Sequence, residues 1–224
     1  MLPTITPDEI DLPAGTILKF PGTIADYEEI LSRLGDRSIP RLRFRDNQIL
    51  LMSFLPEHGK EIDVIVDIVK AILRHQNMDW DSFHPITLRY GKEPGLEPDA
   101  CFYIENYQAI LGKRKLDMSI DPPPDLAIEI DVTSFTRIED YISLAIPEVW
   151  IYKDAPSESD SDARAVRKNG ELRIYSFTNN SYVETDTSLI FSDFDIKAIV
   201  ARYVDRAWQA GSSVALKEFD QTLN

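Results

Sequence analysis

The chain is poor in the residues on which several common functional sites depend. Its single cysteine, Cys101, excludes an internal disulfide and a zinc site made of several cysteines. Only nine glycines occur in 224 residues, and a glycine-rich loop that cradles phosphate is therefore not expected. The sequence contains no Walker loop and no GxGxxG, GxSxG or HExxH motif.

Long apolar runs and an excess of basic charge are missing as well. No run approaches the ~18 residues of a membrane-spanning helix, and the acidic N-terminus has no basic region before an apolar stretch. We therefore expect no membrane contact, no signal peptide and a cytoplasmic location. With 24 Lys and Arg against 38 Asp and Glu, the formal net charge is −14, which is atypical of nucleic-acid-binding proteins.

The composition is that of a folded protein. Hydrophobic residues make up 43% of the chain, which is enough for a sizeable core. At ~100–200 residues per domain, the length predicts a single domain over 1–224. Within it, the core would span about 41–153, and 154–224 would form a C-terminal extension.

The periodicity of the apolar residues predicts an α/β fold. Helical spacing predicts helices over 23–35, 58–76, 134–145 and 195–209, and the final dozen residues resemble a tail. Apolar runs predict strands over 16–20, 41–54 (two strands around Asp46-Asn47-Gln48), 85–90, 99–104, 125–132, 148–153, 171–178 and 182–185. The helix over 134–145 would join two parallel strands, so we expect a mixed sheet flanked by helices.

Carboxylates occur inside two strands that are otherwise apolar. Asp99 opens one strand, and Glu129 and Asp131 interrupt the other, where alternation places both side chains on one face. A buried carboxylate without a partner is costly. Two explanations fit these residues: a divalent cation bound by three neighbouring carboxylates, or a solvent-facing sheet edge at which they are hydrated.

The metal explanation assigns a chemistry to these acids. If the strand of Asp99 lies beside that of Glu129, opposed side chains are ~4.5–5.5 Å apart at Cβ, and Mg²⁺ would relieve their repulsion. Such an ion activates water and stabilises charge on a phosphoryl oxygen. Arg137, in the first turns of the next predicted helix, could turn towards Glu129. The other explanation is an exposed arginine paired with Glu139 or Asp140.

Positive charge near the predicted core is concentrated at two places. Arg41, Arg43 and Arg45 alternate along one strand, so their side chains share a face. The basic triplet at 113–115 is short and typical of a solvated loop. The three arginines are the better candidates for DNA contacts, and a basic face of this size predicts modest, salt-sensitive affinity.

Several spaced motifs resemble the Uma-type restriction endonucleases, a family of the PD-(D/E)XK nuclease superfamily that is common in cyanobacteria. The motifs are EPD at 97–99, PDLAIEIDVTS at 124–134, Tyr141 and IPEVW at 146–150. The segment MSFLPEHG at 52–59 resembles the family's entry to its first core helix. The resemblance covers about 40–155 and implies a restriction-endonuclease-like core. To this core the chain would add an N-terminal helix and a C-terminal hairpin plus helix.

The resemblance also implies the residues of the site. Asp99 and Glu129 correspond to the metal-binding pair, with the backbone carbonyl after Glu129 as a third ligand. Glu57 and His58 stand where family members carry an acid and a histidine near the site. The alternative for these two is an acid at a helix N-terminus and a surface histidine.

One position departs from the superfamily pattern. A lysine is expected two residues after the glutamate, and Asp131 stands there. Uma-type members move the base to the following helix as Lys or Arg, and here that residue is Arg137. Because an arginine stays protonated, it would stabilise charge or orient phosphate rather than accept a proton. Asp131 would be a further metal ligand or would pair with Arg137.

Two functions from different classes follow. The first is a metal-dependent endonuclease that hydrolyses DNA phosphodiester bonds with Mg²⁺ or Mn²⁺. In it, Asp99, Glu129 and Arg137 would be catalytic, and Asp99, Glu129 and Asp131 would bind the metal. The second is a catalytically degenerate nuclease-fold module acting in binding or oligomeric interaction, favoured by the missing lysine and the acidic charge. A double-strand cut needs two active sites, so a homodimer would suit the first function.

Overall fold

The computed structural model describes residues 12–13, 15–34, 40–53, 56–91, 93, 95–131, 136–153 and 170–223, without the side chains of Pro56 and Glu57. Two β-sheets with helices around them make up this part of the chain. The strands are β1 Ile17–Pro21, β2 Arg41–Arg45, β3 Gln48–Met52, β4 Asp81–Phe83, β5 Ala100–Tyr103, β6 Leu126–Ile130, β7 Glu148–Lys153, β8 Glu171–Thr178 and β9 Ser181–Thr185. The helices are α1 Ile24–Leu34, α2 Pro56–His75, α3 Ile196–Ala210 and α4 Ser212–Thr222, with 3₁₀ helices at Tyr107–Ile110 and Ile138–Leu144.

The larger sheet has six strands in the order β4-β5-β6-β7-β8-β9. Strands β6 and β7 are parallel, and the other neighbouring pairs are antiparallel. The connection between β6 and β7 contains the 3₁₀ helix Ile138–Leu144. The predicted α/β fold class with a mixed sheet is therefore confirmed.

One face of this sheet packs against α2, α3 and α4. Strand alternation sends Phe102, Ile128 and Trp150 to this face, where they join the apolar sides of the three helices in one core. The apolar stripe of α2 is buried in that core. Its members are Ile65, Val69, Ile72 and Leu73, with Ile62 partly buried.

The opposite face is covered by the connections between the strands. Leu88, Ile110 and Tyr141 pack over Ala127 and its neighbours there. Because side chains alternate along β6, Glu129 belongs to the same face as Ala127. The carboxylate side of β6 therefore faces away from α2, α3 and α4.

The smaller sheet has three antiparallel strands in the order β1-β3-β2, and it packs against α1. Leu42 and Phe44 point from β2 into this small core, so the arginines between them point to the other side. The start of α1 follows the sequence prediction, because Thr23 Oγ1 accepts a hydrogen bond from the backbone N–H of Asp26.

Two-residue turns close two of the hairpins. Asp46 and Asn47 both have positive φ, 51° and 56°, and join β2 to β3. Asn179 and Asn180 have φ of 51° and 59° and join β8 to β9, as predicted. Positive φ at both central residues matches the right-handed twist of the flanking strands, and Asn and Asp adopt it more readily than most residues.

Three of the predicted elements differ in the structure, and β4 and the 3₁₀ helix at Tyr107–Ile110 were not predicted. The final dozen residues are not a tail: α4 packs against α3 and buries Ala215 and Phe219. The helix predicted over 134–145 is a shorter 3₁₀ helix that begins at Ile138, and residues 132–135 lie outside the described part of the chain. The strand predicted over 85–90 is reduced to a bridge between Leu88 and Leu96.

The loop predicted over 155–169 also lies outside the described residues. No helix in the described part of the chain is both long enough and apolar enough to span a lipid bilayer.

Candidate active site

Two acids from neighbouring strands meet at one end of the larger sheet. Strands β5 and β6 pair so that Ala100 lies opposite Ile128, and continuing this register by one residue places Asp99 opposite Glu129. Both residues are buried, with 5% and 1% of their surface exposed. The condition on which the metal explanation depends, that the strand of Asp99 adjoins the strand of Glu129, is met.

Two buried arginines of β2 supply the opposite charge. Arg41 contacts both acids: its Nη2 lies 2.7 Å from Asp99 Oδ1, and its Nη1 lies 3.6 Å from Glu129 Oε2. Arg43 Nη2 lies 2.5 Å from Glu129 Oε1. Two arginines thus face two acids in a part of the protein that is almost completely buried.

Three further groups hold the acids in place. His58, in the first turn of α2, brings Nε2 within 2.9 Å of Asp99 Oδ2, and the same oxygen accepts the backbone N–H of Ile130 at 2.7 Å. The hydroxyl of Tyr141 donates to Glu129 Oε1 at 2.5 Å. The contact of His58 with Asp99 gives this histidine a position inside the site.

Their surroundings shift the pKa values of the two acids in opposite directions. Burial acts to raise the pKa of Asp99, but the charge of Arg41 and the hydrogen bond from His58 outweigh it and hold that pKa well below its usual range. Burial raises the pKa of Glu129 to about 7, because desolvation and the neighbouring Asp99 charge outweigh Arg43 and Arg41. Asp99 is therefore the permanently ionised member of the pair at neutral pH.

Asp131 is buried beside a different partner. Its Oδ2 lies 3.8 Å from Lys153 Nζ on β7, and its backbone N–H donates to the carbonyl of Tyr152. Among the described residues, no three His, Cys, Asp or Glu side chains lie together in a way that could hold a metal ion. The expected cluster of three carboxylates is therefore not formed, and only Asp99 and Glu129 are brought together.

Arg137 lies at the rim of the site rather than inside it. It precedes the 3₁₀ helix in an extended conformation, so it does not occupy the first turns of a helix as predicted. Its Nη1 lies 3.3 Å from Asp46 Oδ2 in the turn between β2 and β3, and both side chains are largely exposed. The structure thus gives Arg137 the partner Asp46 instead of Glu129, Glu139 or Asp140.

The three arginines of β2 share one face, as the alternation predicts. That face is turned to the acids, so the side chains of Arg41 and Arg43 are only 5% and 7% exposed. Arg45 forms an ion pair with Asp140. In this arrangement the charges of Arg41 and Arg43 point into the protein, away from any nucleic acid at its surface.

A cavity of about 220 Å³ opens beside the buried ion pairs. Its lining includes Arg43, Arg45, Arg89 and Tyr90.

Several residues of this region were not found from the sequence. Arg41 and Arg43 were considered only for DNA contacts, and Tyr141 was noted only as part of a motif. Glu61 was missed; it is 1% exposed and lies three residues after His58 on α2. An acid interrupting the buried side of a helix was the signal available for Glu61. The side chain of Glu57 lies outside the described residues.

Comparison with known proteins gave similarities to a protein family and to solved structures. The model of the Uma2 family, described as "Putative restriction endonuclease", matches residues 24–196. A solved structure described as a "putative nuclease belonging to DUF820" from Anabaena variabilis is 14% identical. It has a TM-score of 0.50, and the match covers 82% of this chain and 99% of that chain. At this identity the likeness concerns the fold alone. The comparison with curated proteins found no match.

Proposed function

This chain belongs to the Uma2 family of restriction-endonuclease-like proteins, and on that basis we propose that it is a metal-dependent endonuclease that hydrolyses DNA phosphodiester bonds. The family resemblance predicted from the residues is confirmed, and a nuclease is the general class of activity that this membership supports. The metal and the DNA substrate belong to the proposal. The observation that carries it is the buried pair of Asp99 and Glu129, opposed on β5 and β6.

The pair fits a hard divalent cation in donor type and in placement. Carboxylate oxygens are the ligands that Mg²⁺ and Mn²⁺ prefer, and both acids point to the same side of the sheet. Among the described residues, no donor makes a well-directed hydrogen bond to Asp99 Oδ1, although Arg41 lies 2.7 Å away. A cation that displaced Arg41 could bind this oxygen, with Glu129 as the second ligand.

The roles of the other residues follow from their contacts. A bound divalent ion would supply an activated water and would stabilise charge on a phosphoryl oxygen. His58 orients Asp99, and Tyr141 orients Glu129, since each holds one carboxylate oxygen. Arg137, exposed at the rim, would contact the phosphate and stabilise its charge in the transition state. Asp131 is retained as a candidate ligand that would have to leave Lys153.

The substrate would approach through the cavity lined by Arg43, Arg45 and Arg89. The charge of Arg43 is turned to Glu129, so Arg45 and Arg89 would offer the positive charge in this cavity, on a chain with a net charge of −14. Few phosphate contacts on an acidic protein give an affinity that falls steeply with salt. A homodimer would provide the two active sites of a double-strand cut, and a cytoplasmic location completes the proposal.

A second function has its own supporting observation. The two acids are already charge-balanced by Arg41 and Arg43, and Asp131 replaces the lysine of the superfamily pattern. These features favour a nuclease-fold module that has lost turnover and acts in binding or oligomeric interaction. Such a module would be folded and would leave DNA intact.

Cleavage of supercoiled plasmid and single-stranded DNA with Mg²⁺ or Mn²⁺ separates the two functions. The variants are Asp99→Asn and Glu129→Gln, and the matched controls are Asp193→Asn and Glu184→Gln, which are exposed. If the wild type cleaves, both site variants should lose cleavage while remaining folded, with a lowered melting temperature because Arg41 or Arg43 loses a buried partner, whereas both controls retain cleavage. A folded wild type that leaves DNA intact under both metals would refute the nuclease and favour the second function.

Arg137→Ala tests the role at the phosphate. Because the side chain is 59% exposed, the substitution should change the free energy of unfolding by less than about 0.5 kcal/mol. We expect cleavage to fall at least about tenfold through a lower kcat, since a lost transition-state contact of 1.36 kcal/mol costs that factor. Unchanged cleavage by this variant would remove Arg137 from the site.

A further inference from the structure

We propose that Arg41 and Arg43 take the place of a metal ion between Asp99 and Glu129, so that a divalent cation binds only when these arginines withdraw. This inference deepens the proposed function and rests on it for the identity of the metal site. In this inference, two arginines of the smaller sheet control the affinity of the acids for metal. The cation class that the site would take is a hard divalent ion such as Mg²⁺ or Mn²⁺.

The position of Arg41 is the first argument. A single guanidinium lies 2.7 Å from an oxygen of Asp99 and 3.6 Å from an oxygen of Glu129. It therefore bridges the two acids, as a cation shared by both would do. The planar guanidinium can address two carboxylates through separate nitrogens, and it stays charged at every relevant pH.

The balance of charge is the second argument. Asp99 and Glu129 carry at most two negative charges, and Arg41 and Arg43 carry two positive ones within 2.7 Å and 2.5 Å of them. Glu97 Oε2 also lies 4.0 Å from Arg41 Nε, so a divalent ion added to this set would leave an excess of at least one positive charge beside acids and arginines that are almost completely buried. Buried charge without a counter-charge is strongly unfavourable, so metal and arginines compete for the same acids.

Both arginines belong to one structural unit. They lie on β2, which belongs to a separate three-stranded sheet with its own core. Two more ion pairs link the same hairpin to the segment after β6: Arg45 with Asp140, and Asp46 with Arg137. The hairpin is therefore joined to this part of the larger sheet by charge pairs, and a shift of the hairpin would expose the acids together.

Metal binding without DNA tests the inference directly. Titration calorimetry with Mn²⁺ and with Mg²⁺ would compare the wild type with Arg41→Gln/Arg43→Gln. The matched control is Arg45→Gln, which removes an arginine from the same strand face without touching Asp99 or Glu129. We expect the double variant to bind Mn²⁺ at least about tenfold more tightly than the wild type, and the control to match the wild type.

An acidic chain also binds metal ions at its surface, so the gained site needs its own control. Adding Asp99→Asn to the double variant should abolish the gained binding. Thermal unfolding provides a second readout: the double variant should melt below the wild type without metal, and Mn²⁺ should raise its melting temperature more than that of the wild type. If the double variant does not fold, Arg41→Gln alone keeps the test, because Arg41 is the bridging residue.

Two results would overturn the inference. One is a wild type that binds Mn²⁺ as tightly as the folded double variant, and the other is a gain that persists after Asp99→Asn. These results are independent of the cleavage assay. Gained metal binding by the double variant, together with a wild type that does not cleave DNA, would support the inference and refute the nuclease. A wild type that cleaves DNA and binds the metal as tightly as the double variant would support the nuclease and refute the inference.

Discussion

Replacing Arg43 is expected to widen the pH range in which the free energy of unfolding falls as pH rises, because Glu129 then keeps its proton in the folded state. The carboxyl of Glu129 is 1% exposed, and Arg43 is its nearest charged partner at 2.5 Å. With that partner present, burial raises the pKa of Glu129 to about 7. Without it the pKa rises further, so the folded Arg43→Met variant keeps a proton that the unfolded chain releases above its ordinary pKa of about 4.3.

The sign and size of the effect follow from proton linkage. Where the unfolded state binds fewer protons than the folded state, the free energy of unfolding falls as pH rises, by about 1.4 kcal/mol per pH unit for one proton. In the wild type this decline should end near pH 7, the pKa of Glu129. In Arg43→Met it should continue, so that the loss between pH 5 and 8 reaches about 4 kcal/mol.

Urea unfolding followed by circular dichroism at pH 5 to 9 measures this. The reference is Arg43→Met/Glu129→Gln, which lacks the titrating group, and Arg45→Met is the control on the same strand face. We expect the curve of Arg43→Met to fall steadily against the double variant as pH rises, whereas the control follows the wild type. Parallel curves for Arg43→Met and the double variant would show that Glu129 holds no such proton and would refute the reasoning.

Three other predictions concern the larger sheet. Glu148→Gln should lower the free energy of unfolding by about 3 kcal/mol in a denaturation assay. This fully buried carboxylate accepts hydrogen bonds from the Trp150 indole, the Ser188 hydroxyl and a backbone N–H. In the same assay the control Glu171→Gln, at an exposed acid, should change the free energy of unfolding by less than about 0.5 kcal/mol. Phe219→Ala should cost about 3–5 kcal/mol, and a value typical of a surface change would mean that α4 is not docked on α3 in solution. Cys101 should resist a thiol reagent at pH 8 until denaturant is added, since burial raises its pKa to about 12; rapid labelling of the native protein would contradict the buried position.

The parts of the fold that the sequence predicts are those with a strong local pattern. The boundaries of β7 and β8 match the predicted ranges, because each is a clear apolar run between charged or turn residues. The Asn179-Asn180 turn was also predictable from residue type alone. Carboxylates in two apolar strands indicated a shared site only on the condition that β5 lies beside β6, and the structure shows that pairing.

The parts that the sequence does not predict depend on contacts between distant segments. The helix α4 has only a short apolar pattern around Ala215 and Phe219, and a helix of this length is stable chiefly through packing. The alternation of arginines on β2 shows that they share a face, but no local pattern shows what covers that face. Their burial against Asp99 and Glu129 is a property of how the two sheets meet.

The two-residue turn at Asp46-Asn47 has a consequence for the charge of the site. On strand β2, leucine and phenylalanine face the small core and the arginines face the acids. The pairing of Arg45 with Gln48 next to the turn determines which residues face each side. A slip of one residue in this pairing would exchange the two sets, placing Leu42 against carboxylates and arginine among apolar side chains. The pairing of the acids with arginines therefore depends on the length of this turn. An insertion of one residue there would turn the arginines away from the acids without altering any charged residue.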